Sequence, residues 1–174
     1  MRQNVPSTCK DVHLQIEARE VINRPRDVVF STLSQPELFL STWAKGVVSV
    51  SREVEGQDQL PRYKVIGRDL VGKVVLSYQV LNVRPCEYFE GRATGGPVDF
   101  TERFDLVALS DSATEVCLTQ HLRPTGIFLL AGRAINLVWP SLMKKNLSSL
   151  KSTLERTPTK KRTRPRLLRR LFPV

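Results

Sequence analysis

The sequence predicts an α+β fold in which a curved antiparallel sheet of about seven strands wraps one long C-terminal helix, with two short helices after the first strand. Three observations carry this expectation. Residues 46–122 are a series of short, alternating, β-rich runs split by tight turns. Residues 127–155 lose that pattern and show a one-sided helical stripe. One cleanly alternating strand and two helix starts precede both. Connections this short make consecutive strands antiparallel. The long helix is the one element large enough to cover the sheet, and a curved sheet gripping a single helix leaves space between them.

In chain order, VHLQIEAR sets Val12, Leu14, Ile16 and Ala18 against His13, Gln15, Glu17 and Arg19, the pattern of a half-buried strand. NRPRDVVFSTL follows, with Asn23 able to cap a short helix and Pro25 suited to its first turn. SQPELFLSTWA places Ser34 and Glu37 at capping-box spacing, so a second short helix ends near Trp43. Six strand-like runs come next: GVVSVSREV, PRYKVIGRD, GKVVLSYQVLNV, CEYFEGRATG, PVDFTERFDLVAL and ATEVCLTQHLR. Tyr63 and Val65, then Val74, Leu76, Tyr78 and Val80, mark inner faces. The run CEYFEGRATG fits either face. In the last element Met143, Leu147, Leu150 and Leu154 make a helical stripe that Phe128, Ala131, Ile135 and Trp139 extend upstream. Pro140 removes a backbone donor and predicts a kink near residues 136–140.

The chain has 174 residues, 41% apolar and 25% charged, which suits one domain with a real core. Its net charge of +10 is uneven: residues 157–174 hold seven cations and no acid, leaving +3 for residues 1–156. The high pI therefore belongs to the tail and does not mark the domain as a nucleic-acid binder. Residues 1–11 read as an extension, 12–156 as the domain, and 157–174 as a basic, disordered tail. No run reaches the roughly 18 uninterrupted apolar residues of a membrane span. The first residues lack the apolar core of a secretory signal. Cys9, Cys86 and Cys117 form no CxxC pair, so a reducing, cytoplasmic setting is expected, with neither a disulfide framework nor a metal site. No phosphate loop, catalytic triad or metal motif is present, and no cofactor is expected. His13 and His121, the two histidines, alternate outward. Nothing in the sequence points to an oligomeric state.

One hairpin resists a purely structural account. In DFTERFDLVALSDSATEVCLTQHL, alternation turns Phe100, Phe104, Leu118 and Leu122 inward, and Glu102 and Gln120 with them. A turn centred near residue 111 sets Phe104 opposite Leu118, Leu106 opposite Val116 and Glu102 opposite Gln120, about 5 Å apart and able to hydrogen-bond. Glu102 is either a satisfied structural group, paired with Gln120 or with Arg133 from the helix above, or a polar handle at the end of an apolar pocket.

The element order and its residues together resemble the START-like, or SRPBCC, helix-grip superfamily, in particular its polyketide cyclase/dehydrase and lipid-transport branch. VINRPRDVVFSTLSQPELFLSTW resembles that family's end of strand one and its two short helices, with Pro25, Val29, Phe30, Leu33 and Trp43. TEVCLTQHLRPTG resembles its last strand and the turn into the final helix. NLSSLKSTLE, with Asn146, Leu147, Leu150, Lys151 and Leu154, resembles the helix ending. The resemblance spans about residues 12–156 and implies a cavity for an apolar small molecule such as a lipid, sterol or polyketide. It implies no single chemistry, because the superfamily includes carriers, sensors and enzymes.

The wall of such a cavity would come from Tyr63, Val65, Leu76, Tyr78, Phe100, Phe104 and Leu118 on the sheet. Trp43, Phe128, Ile135 and Trp139 would add to it from the helices, with Glu102, Gln120 and Arg133 as polar handles. Three function classes remain open. The first is a carrier or sensor of an apolar ligand. The second is a polyketide cyclase/dehydrase, with Glu102 as the evident acid or base. The third is a module peripheral to an anionic membrane, acting through the tail, where Arg166, Arg169 and Arg170 stand beside Leu167, Leu168, Leu171 and Phe172. That composition suits lipid better than nucleic acid.

Overall fold

The computed structural model describes residues 14–43, 46–53, 61–69, 72–126, 130 and 132–156. The expectations for residues 1–11, His13, Phe128, Ala131 and the tail lie outside the described residues, as does the side chain of Trp43.

The chain runs β1 (Leu14–Ile22), α1 (Arg26–Leu33), α2 (Pro36–Trp43), β2 (Val47–Glu53), β3 (Arg62–Asp69), β4 (Gly72–Arg84), β5 (Tyr88–Thr94), β6 (Val98–Ser110), β7 (Ala113–Pro124) and α3 (Gly132–Arg156). The strands form one seven-stranded antiparallel sheet in the order β1-β7-β6-β5-β4-β3-β2. This is the α+β arrangement read from the sequence. A meander from β2 to β7 explains all but one pairing; the first strand closes the sheet against the last. Bulges between Val80 and Asn82 and between Ala108 and Ser110 interrupt the ladders and add to the local twist.

The strands form where alternation matches burial. On β1, Ile16, Ala18 and Ile22 are buried while Gln15, Glu17 and Arg19 are exposed. The β6–β7 register is the one expected: Phe104 faces Leu118, Leu106 faces Val116 and Glu102 faces Gln120. The ambiguous run becomes β5 with Phe89, Gly91 and Ala93 inward. Its pattern was hard to read because two inward positions are small, while Tyr88, on the other side, lies under the Arg103 guanidinium at 4.0 Å.

The short helices form at the expected places but are capped otherwise. Pro25 occupies the N-cap of α1, without a side-chain bond, and the Asn23 N–H donates to Glu155 Oε1 at 2.8 Å. Ser34 caps the C-terminus of α1, and α2 opens with Leu38 and Phe39 N–H groups donating to the Gln35 carbonyl. Only two residues separate the helices, so Ser34 still belongs to the end of the first. Phe39 of α2 meets Phe104 edge-on at 5.3 Å between ring centroids and closes that end of the core.

The helix α3 packs on β1 and α2 and continues across Pro140. Its stripe Met143, Leu147, Leu150 and Leu154 is buried in the core. Its C-terminal end is clamped: Arg24 Nε donates to the Leu154 carbonyl at 2.8 Å and Arg24 Nη2 to the Glu155 carbonyl at 2.6 Å. A cation there satisfies carbonyls that the helix cannot and complements its negative end. Lys151 Nζ donates to Glu20 Oε1 on β1 at 2.9 Å. We expect Arg24→Met to lower stability by about 1–3 kcal/mol in denaturant unfolding, because two charge-assisted bonds to helix-terminal carbonyls are lost; an unchanged midpoint would remove the clamp from this account.

Candidate functional site

The site grows from the inward faces of β4, β6 and β7. Glu102 is 1% exposed and Gln120 is 4% exposed, so the sheet holds an acid and an amide deep on its concave side. Both carboxylate oxygens are used. Tyr78 Oη donates to Glu102 Oε1 at 2.8 Å, and Gln120 Nε2 donates to Glu102 Oε2 at 2.8 Å. The chain of bonds then leaves the sheet: Trp139 Nε1, on α3, donates to Gln120 Oε1 at 2.8 Å. The Trp139 ring also meets Phe100 of β6 at 6.3 Å in an edge arrangement. Among the described residues no buried side-chain polar atom lacks a partner.

Tyr78 reaches Glu102 across β5, and Gly91 is what lets it pass. Gly91 is paired with Glu102 on one side and Val80 on the other. A Cβ at Gly91 would collide with the Tyr78 hydroxyl. The glycine here serves close approach rather than a special backbone angle.

Burial dominates the electrostatics. It pushes the Glu102 carboxyl from 4.5 to about 7, against the opposing hydrogen bonds from Tyr78 and Gln120. The Tyr78 phenol is raised well above 10.0 by burial, then by the charge of Glu102 and its hydrogen bond to it. A buried carboxyl that exchanges its proton near neutral pH can hold a ligand's polar group in either protonation state, or act as acid or base.

The other sequence-derived positions divide clearly. Tyr63, Val65, Phe104 and Leu118 are buried in the core, and Leu76 and Phe100 pack against it half-buried. Ile135 and Trp139 are half-buried on α3. Arg133, considered above as a partner for Glu102 or a second handle, is exposed; the groups meeting Glu102 are Tyr78 and Gln120. Six residues before Trp139, it is turned about 120° around the helix. Sequence reasoning missed two links, Tyr78 to Glu102 and Trp139 to Gln120. The signal for the first was a glycine at an inward position between a tyrosine and an acid. Among the described residues no group of three His, Cys, Asp or Glu side chains could hold a metal.

No family model matches the chain, and a search of curated proteins finds no match. Solved structures do match. The Zhui aromatase/cyclase from Streptomyces sp. R1128 aligns with a TM-score of 0.66 at 13% identity, over 83% of this chain and 94% of that one. A START superfamily protein from Mycobacterium smegmatis aligns with a TM-score of 0.69 at 12% identity, over 81% and 97%. The di-domain ARO/CYC StfQ from the steffimycin biosynthetic pathway aligns with a TM-score of 0.67 at 11% identity, over 84% of this chain and 52% of that one. The chain thus has the helix-grip fold that these solved structures share.

The pH dependence of stability follows from Glu102. Its carboxyl holds a proton more tightly folded than unfolded, so between about 4.5 and 7 the folded state binds the extra proton. This contribution is fully present below 4.5 and is lost as pH rises through about 7. Across that window we expect it to remove on the order of 3 kcal/mol. Denaturant unfolding of the wild type and Glu102→Gln at several pH values checks this: subtraction should leave a falling difference that flattens above neutral pH. A difference flat over the whole range would mean that Glu102 is not the titrating group.

Proposed function

We propose that the chain binds an apolar small molecule, such as a lipid or polyketide, between the concave face of the sheet and the N-terminal half of α3. The observation that carries this reading is the buried acid aimed at that half of the helix and tied to it through Gln120 and Trp139. Around it the inward surface is aromatic and aliphatic, the composition of small-molecule sites. Packing also changes along α3: Met143, Leu147, Leu150 and Leu154 are buried, whereas Ile135 and Trp139 are half-covered. A ligand would displace least where the helix is least buried.

A second reading makes the same site catalytic. What favours it is Glu102 itself, since general acid–base work at neutral pH needs a carboxyl raised to this range. In that reading Glu102 moves protons during closure or dehydration of a polyketide ring, and Tyr78 and Gln120 position it. The aromatase/cyclase description of the solved neighbours supports the reaction class.

Native mass spectrometry of the chain purified without denaturant tests the binding proposal. We expect a one-to-one complex with an apolar small molecule, and Glu102→Gln, folded by circular dichroism, to bind that molecule about tenfold less tightly, ~1.4 kcal/mol. A bare mass, together with no saturable uptake of a fluorescent fatty acid, would rule the proposal out. Turnover of an added aromatic polyketide by the wild type but not by Glu102→Gln would establish the catalytic reading.

We further propose that the chain docks on an anionic membrane surface. The tail residues Arg166, Leu167, Leu168, Arg169, Arg170, Leu171 and Phe172 suggest it, and α3 adds a described surface. Leu137 is 80% exposed and Val138 65%, with Leu142 further along the helix and Leu130 just before it also exposed. Arg133, Lys144 and Lys145 are exposed on the same helix. From Val116 to the end, thirteen Lys and Arg stand against one acid, Glu155; the first 115 residues carry 14 against 16. Apolar side chains ringed by cations match an anionic interface, each cation near it contributing about 1 kcal/mol. No helix among the described residues is long and apolar enough to cross a membrane. Vesicles with anionic lipid should sediment the chain, and salt or Leu137→Ser with Val138→Ser should release it. Equal binding to neutral vesicles would contradict the electrostatic part.

A further inference from the structure

The order of donors and acceptors around Glu102 is fixed from the helix end. An indole N–H can donate but cannot accept. Trp139 Nε1 therefore requires an oxygen, and the amide of Gln120 must turn its Oε1 to α3. Its Nε2 is then left facing Glu102, where it donates to Oε2. Tyr78 donates to the other oxygen. These two donors favour the carboxylate, opposing the burial that favours the acid. A proton on Oε2 would point at the Gln120 N–H₂, donor against donor, and one on Oε1 would require the Tyr78 hydroxyl to turn from donor to acceptor.

We infer that Trp139 is a positioning residue: by holding Gln120 in one amide orientation it keeps the amide N–H₂ donating to Glu102 and thereby favours the carboxylate over the acid. Without the indole N–H the amide is free to turn, and Gln120 Oε1 can then accept from a proton on Glu102 Oε2, the proton coming from solvent. The proposal deepens the binding reading above, since the proton on Glu102 decides whether the site offers a ligand a donor or an acceptor, but the linkage itself exists in the ligand-free chain.

The surroundings leave few other groups to set this proton. Tyr78 on β4 is the ionisable group in contact with Glu102, with Tyr63 of β3 behind it. The strand β5 offers Gly91, β7 offers Gln120 and α3 offers Trp139, none of which titrates. Burial and the two hydrogen bonds account for the Glu102 shift. The two ends of α3 are also held differently. The C-terminal end is fixed by Arg24, by the Asn23 N–H bond to Glu155 and by Lys151 to Glu20. In the other half, Trp139 reaches the sheet through Gln120 and Phe100.

The test is a carboxyl ¹³C NMR titration of Glu102 in the full, ligand-free chain, the signal assigned by its absence in Glu102→Gln. Trp139→Phe should raise the Glu102 midpoint by about half a unit or more, roughly threefold in proton affinity. Gln120→Met should raise it further, and Trp139→Phe added to Gln120→Met should add nothing, because the indole acts through the amide. If Trp139→Phe disturbs the fold, benzothienylalanine at position 139 keeps the ring shape and removes only the N–H, and should give the same rise. An unchanged or lowered midpoint overturns the proposal, as does an equal rise with Gln120 already replaced. Either failure would leave the ligand-binding reading standing, because no ligand takes part in the measurement.

Discussion

A carboxyl group with almost no solvent contact must find its hydrogen bonds inside the protein, and much of this fold is arranged around that need. Glu102 lies on an interior strand, so its donors come from side chains of other strands on the same face or from above. Tyr78 supplies one from two strands away, which requires a ring laid across β5 and an absent side chain at Gly91. Gln120 supplies the other from directly across the β6–β7 ladder, which requires that ladder's register to be held without slip. A shift of one residue in either strand would turn its polar group to solvent and that strand's apolar residues with it. Trp139 then completes the amide, so the helix is registered against the sheet by the same chain of bonds.

These features were legible in the sequence to different depths. The β6–β7 register could be read because alternation and a polar turn fix it locally, and with it came the Glu102–Gln120 pairing. The inward faces of β3 and β4 were legible for the same reason. The facing of β5 was not, because an inward glycine and alanine carry no hydrophobic signal and an outward tyrosine gives a false one. The capping-box spacing at Ser34 is misleading because α1 and α2 share a two-residue junction and Ser34 still ends the first helix, while at the start of α1 Pro25 takes the N-cap in place of Asn23. Arg133 was attractive as a partner for a buried acid, but helical phase turned it to water. The bonds from Tyr78 and Trp139 depend on which side chains converge across three strands and a helix, information that no local pattern contains.

The long helix is two elements in physical terms. Its C-terminal half is a core element, one face buried and its end held by an arginine from the β1–α1 connection. Its N-terminal half is apolar on faces that the sheet does not cover, with Leu137 and Val138 in water. Such surface is costly to leave exposed unless it serves binding. The inward edge of that half carries Trp139, bonded to Gln120, and the outward side carries Leu137 and Val138.

The pairing of β1 with β7 has a consequence for how the chain reaches this structure. Leu14 lies opposite Leu122, and the clamp on α3 joins Arg24 to Leu154 and Glu155. The meander from β2 to β7 can form from neighbours, but closing the sheet brings together segments separated by most of the domain. Loop closure of that kind slows folding and leaves strand edges open meanwhile. During synthesis β1 must wait for the last strand before it has a partner, and the helix end must arrive before Arg24 has anything to hold. Removing the last turn of α3 should therefore act first on β1, at the opposite end of the sequence, and expose the edge of β7 to pairing with other chains.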